Sequence, residues 1–133
     1  MNWTSLFGKA IVNSRLAQYP DAKIYNAATM LAPEERPKVP VRMVNNDWAK
    51  SRPTPMWFDS AKPDHISVST GSPSYKKGDM PRLAAMLGHE AIHSGGQMAE
   101  VPGYERETAI LQRFGLGSSQ RIKDIEEIKK RFK

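Results

Sequence analysis

At 133 residues, with 39% hydrophobic and 26% charged side chains, the chain is expected to fold as one domain around a single core. It contains no cysteine, which excludes a disulfide framework and any thiolate metal site and leaves imidazole, carboxylate and water as ligands. The formal charge of +6 is spread along the chain without a recognised nucleic-acid motif, so nucleic acid is kept only as a weakly supported partner.

The N-terminal stretch lacks a basic segment followed by a long apolar core, and no apolar run reaches membrane-span length, so the expectation is a cytoplasmic protein without a membrane partner, export by another route being compatible with the same sequence. Trp3, Leu6, Phe7, Ala10, Ile11, Ser14 and Ala17 recur at spacings of three and four, which predicts an amphipathic helix over residues 3–18. Asp21 is placed to cap a second helix running to about Ala32, with Ile24, Ala27, Ala28 and Leu31 inward and Pro33 as the stop. Residues 33–40 read as a loop, and 39–45 as a short strand whose first residues lie at a sheet edge.

Residues 46–64 are rich in Pro, Asp, Lys and Ser yet hold Trp48, Met56, Trp57 and Phe58. They read as a long aromatic loop, pinned to the core or forming a substrate wall. His65 to Thr70 alternates and ends in Gly71-Ser72-Pro73, predicting a half-buried strand whose free edge accepts a peptide substrate.

The chemistry lies in the next segment. Asp79 is a good N-cap, Pro81 is tolerated in a first turn, and Gly95-Gly96 stops the helix between them. Within it stand His89, Glu90 and His93, in the order His-Glu-x-x-His. Four helical residues advance about 400°, so the two imidazoles project from one face and are able to bind one metal ion. Glu90, one residue round, is placed to act as general base on a water bound to that ion. Residues 83–88 are apolar or small on every side, so the helix is expected to be buried, where two histidines and a glutamate need a partner.

A zinc site needs a third protein ligand, and a carboxylate from the following helix is the expected donor. That helix is predicted from Tyr104 to Phe114, after a connection containing Glu100, Pro102 and Gly103. Glu107 shares a face with Ile110, Leu111 and Phe114 and is the expected ligand; Glu105, beside Ala109 and Gln112, is the reserve, and Glu100 comes last because it lies in the connection. Residues 118–132 read as a charged amphipathic helix with Ile122, Ile125, Ile128 and Phe132 inward and its charges solvated.

His89-Glu90-Ala91-Ile92-His93 followed by GYERETAIL resembles the zincin metallopeptidases of the gluzincin type, in particular the small minigluzincin-like proteases, over roughly residues 79–114. The resemblance implies an α+β domain, mostly helical, with a small sheet whose edge strand flanks the active-site helix. It also implies zinc held by His89, His93 and a glutamate, with Glu90 activating water. Many relatives carry Asp or Asn four residues after the ligand glutamate; here Leu111 follows Glu107, and Ala109 follows Glu105, at that spacing. His65, Tyr75 and Tyr104 are the candidate oxyanion donors. The expected activity is that of a zinc-dependent peptidase acting on a peptide or protein. The competing reading is a binding module on the same scaffold, for which an intact Glu90 has no use.

Overall fold

The computed structural model describes residues 19, 21–44, 56–117 and 119–132, so the helix expected over residues 3–18 and the aromatic Trp48 lie outside the described residues. Among the described residues the architecture is α+β, with five helices and a three-stranded sheet. Helix α1 (Ala22–Thr29) begins where expected, because the Asp21 carboxylate accepts from Lys23 N at 2.7 Å and Ile24 N at 3.3 Å. Its inward face is Ile24, Ala27 and Ala28, with Leu31 buried just beyond. Pro33, expected as the stop, opens a 3-10 turn over Pro33–Glu35.

The strands are β1 (Val41–Val44), β2 (Met56–Phe58) and β3 (Ile66–Ser69), in the order β1-β3-β2. β1 runs parallel to β3, and β2 antiparallel to it with Met56 opposite Val68 and Phe58 opposite Ile66. This corrects two expectations. β3 is central, flanked on both sides, so it offers no free edge to a substrate. All four of its residues are buried, although the alternation of Ile and Val with Ser suggests one wet face. Serine is small enough to enter the interior once its hydroxyl is satisfied, as at Ser69, whose Oγ accepts from Gly71 N at 3.2 Å. The strand at the site is instead β2, inside the segment that reads as a loop, since three residues between prolines and charges are too few to show a period of two.

After α2 (Pro73–Lys77), helix α3 (Met80–Ser94) runs through the middle of the domain. Asp79 caps it through Arg82 N, and the seven residues Leu83 to His89 are all buried. α3 packs on α1, on β2 and most extensively on α4 (Glu100–Arg113). Two glycines permit that last approach. A Cβ at Gly88 would stand 2.5 Å from Ile110 Cδ1, and one at Gly103 would stand 2.7 Å from both Cδ2 and Nε2 of His89.

Helix α4 starts four residues earlier than Pro102 and Gly103 suggest. Pro102 is its third residue, where no intrahelical donor is required, and Gly103 is simply its fourth. Glu100 is thereby the first helical residue and not part of a loop. Helix α5 (Gln120–Lys129) buries Ile122 and Ile125 as expected, but also Arg121. Beyond it the chain tightens into a 3-10 turn over Lys130–Phe132, with about 120° per residue in place of about 100°. Phe132, expected inward, leaves the stripe and is 52% exposed.

Candidate metal centre

His89 and His93 face the same cavity from successive turns of α3, and Glu100 reaches them from the first turn of α4. His89 Nε2 and His93 Nε2 are 3.2 Å apart; Glu100 Oε2 lies 3.4 Å from the first and Oε1 3.3 Å from the second. A tetrahedral ion with bonds of about 2.0–2.1 Å separates its ligand atoms by about 3.3 Å, so each of the three contacts has the length of one edge of such a shell, the two to Glu100 being made by different oxygens of its carboxylate.

Proton placement points the same way. His89 Nδ1 lies 2.9 Å from Glu107 Oε1, and His93 Nδ1 lies 2.9 Å from the carbonyl of Gln97. Both partners accept only, so each Nδ1 carries a proton, and a ring that holds no second proton turns an Nε2 lone pair inward. Two lone pairs and a carboxylate then converge, an arrangement that calls for a cation. The residues fit a divalent metal. A proton competes for the same place: burial works to lower the His89 pKa, but the hydrogen bond to Glu107 and the charges of Glu90, Glu107 and Glu100 prevail and raise it.

The supports of the two rings are unequal in kind. The Gln97 carbonyl is brought under His93 by the turn after α3, where Gly96 takes φ 108°, a region that side chains disfavour. Glu107 is a side-chain support, itself gripped by Arg121, whose Nε is 2.5 Å from Oε2 and whose Nη2 is 3.1 Å from Oε1. Burial works to raise the Glu107 pKa, yet its bonds to His89 and Arg121 hold it below the usual carboxylate value. The Tyr104 ring stands edge-on to His89, centroids 4.6 Å apart.

Glu107 is therefore not among the converging donors. It is buried, as its apolar face predicts, but on the Nδ1 side of His89 and with both oxygens engaged. Glu105 is exposed on the other side of the helix. Glu100, ranked last from the sequence, is the carboxylate that joins the histidines. An acid and a proline in a first turn were the available signal, since both favour a helix start at Ala99-Glu100. Tyr104, not Asp or Asn, stands four residues after Glu100, and the carboxylate support of His89 comes one full turn later still. Arg121 is the residue that sequence reasoning missed outright. Its signal was its place on the Ile125 face of α5, four residues away.

Glu90 lines the same cavity, of about 210 Å³. Burial, with smaller contributions from Glu100 and Glu107, pushes its pKa up to about 8 against the pull of His89; a bound cation would draw it back down. The apolar part of the lining is Met56, Trp57 and Phe58 of β2, and Met86 of α3. Of the candidate oxyanion donors only Tyr104 lines the cavity. The Tyr75 hydroxyl donates to Asp21, and His65 Nδ1 pairs with Asp64 at 2.9 Å.

Gly103→Ala tests the close support of His89. Alanine favours a helix by about 1 kcal/mol over glycine, so α4 itself does not suffer. The added methyl displaces the His89 ring, and the expected result is a zinc dissociation constant raised on the order of tenfold or more, read by competition with a chromophoric chelator. An unchanged constant would show that the ring has room to spare.

Comparison of the chain with protein-family models, with curated proteins and with solved structures finds no match, so the reading of this site rests on its own geometry.

Proposed function

We propose that the chain is a zinc-dependent metallopeptidase with a zincin-like, gluzincin-type arrangement of its site. The observation that carries this is the convergence of His89 Nε2, His93 Nε2 and the Glu100 carboxylate, spaced as ligands of one tetrahedral ion, in a cavity that also holds Glu90. Two imidazoles and one carboxylate, with no thiolate, form the donor set of a catalytic zinc that keeps a fourth position for water. Bound there, zinc supplies an electrophile for the scissile carbonyl and makes a water more acidic.

The chain's own residues do the rest. Glu90 accepts a proton from the attacking water as the new carbon–oxygen bond forms, then returns it to the amine nitrogen as the carbon–nitrogen bond breaks. Tyr104, whose pKa is raised by burial and by Glu100 against the pull of Arg121, keeps its hydroxyl proton to donate to the oxygen that gains charge. β2 flanks the cavity, and an extended substrate lies along it with an apolar side chain against Met56, Phe58 and Met86. The binding-module reading fits less well, because burial makes the Glu90 charge costly and only catalysis gives it a use.

The test is metal removal. A mixed-sequence set of quenched peptides is expected to be cleaved by zinc-loaded protein, to survive intact after chelation, and to be cleaved again when equimolar zinc is restored. Zinc-loaded, folded protein that cleaves none of them would overturn the peptidase reading.

A further inference from the structure

Arg121 and Glu107 form an ion pair deep inside the protein, with 3% and 1% of their surfaces exposed. Such a pair is a poor source of stability, because removing two charges from water costs about as much as their attraction returns, and apolar replacements of similar size are often as stable. Its position suggests another use. The guanidinium grips both oxygens of one carboxylate, and that carboxylate accepts the Nδ1 proton of His89. A line of contact thus runs from α5 through α4 to the ring on α3 that faces the ligand group.

We propose that Arg121 is a positioning residue of the metal centre, and that the docking of α5 and the binding of the metal are linked through it. Glu107 alone has torsional freedom about three bonds. With both oxygens held in the planar fork of Arg121 it has one orientation, in which Oε1 sets the tautomer and tilt of His89 and so aims Nε2 at Glu100 and His93. The linkage is reciprocal: whatever loosens α5 weakens the metal, and the metal tightens α5. The inference rests on the reading that the His89–His93–Glu100 group holds a divalent cation, but it does not require that the protein cleave peptides.

Zinc affinity of the full chain, measured by chelator competition, decides the matter for wild type, Arg121→Met, Arg121→Lys and the exposed control Lys123→Met. Arg121→Met is expected to raise the dissociation constant about 10–100-fold, the scale for loss of an outer support. Arg121→Lys, which keeps the charge but loses the fork, is expected to fall between, and Lys123→Met to match wild type. In wild type, added zinc is also expected to slow amide exchange over residues 120–129, and Arg121→Met is expected to abolish that slowing.

An unchanged constant in folded Arg121→Met overturns the proposal, whatever its melting temperature. Should Arg121→Met fail to fold, wild-type exchange over residues 120–129 that zinc leaves unaltered overturns it as well. Wild type that binds no zinc overturns both this proposal and the peptidase reading, whereas binding without hydrolysis removes only the latter.

Discussion

Glu90→Gln is expected to abolish peptide hydrolysis, with a fall in kcat of about 10²–10⁴-fold, while zinc binding stays at the wild-type level. The two halves of this result have different causes. Glutamine is nearly isosteric with glutamate but cannot accept a proton at neutral pH, so the attacking water is no longer deprotonated and the leaving amine no longer protonated. Zinc is retained because Glu90 is outside the group formed by His89, His93 and Glu100. Without metal, a carboxyl whose pKa burial pushes up to about 8 is mostly protonated at neutral pH, so glutamine replaces a neutral group of nearly the same shape and the metal-free variant should melt at least as high as wild type. Steady-state kinetics, elemental analysis and a thermal melt of the same preparation check all three. Hydrolysis that persists in Glu90→Gln would assign the base to another group.

Much of the frame was legible because it is written in local signals. Asp21 and Asp79 cap the helices they precede, and the apolar surround of His89 and His93 correctly placed α3 in the interior. What failed were judgements that need tertiary context. Pro102 and Gly103 are loop residues by habit, yet here the proline sits where a helix needs no donor and the glycine is the space that lets His89 meet α4. That one misplacement turned Glu100 from the first residue of a helix into loop decoration. Burial was then read as convergence on the two histidines. The apolar face of Glu107 predicts that it is buried, and it is, but it meets His89 at Nδ1, whereas Glu100 meets both imidazoles at Nε2. Glu100 is also the more open of the two, with 39% of its side chain exposed. Arg121 was missed for a related reason: its place four residues before Ile125 was the one local sign of burial, and the charges that surround it along α5 outweighed that sign.

Replacing the two glutamates separately should expose that division of labour. Glu100→Ala is expected to lose zinc, falling from about one ion per chain to almost none after dialysis, because two imidazoles alone do not make the three-ligand shell of a catalytic zinc. Its metal-free fold should be little altered. The side chain is partly exposed, its buried partners His89 and His93 keep their Nδ1 bonds to Glu107 and to the Gln97 carbonyl, and its removal reduces the crowding of negative charge around Glu90. Glu107→Ala should weaken zinc but act chiefly on the fold. It leaves the Arg121 guanidinium buried without its partner, a loss of about 3–5 kcal/mol, which is a large part of the 5–15 kcal/mol or so that holds an ordinary domain together. The metal-free melting temperature should therefore drop sharply in Glu107→Ala and hardly move in Glu100→Ala. Zinc at high concentration should partly restore the former by mass action, since His89, His93 and Glu100 all remain, and should do little for the latter. Zinc that stays with Glu100→Ala but leaves a stable Glu107→Ala would exchange the roles of the two carboxylates and make Glu107 the third ligand.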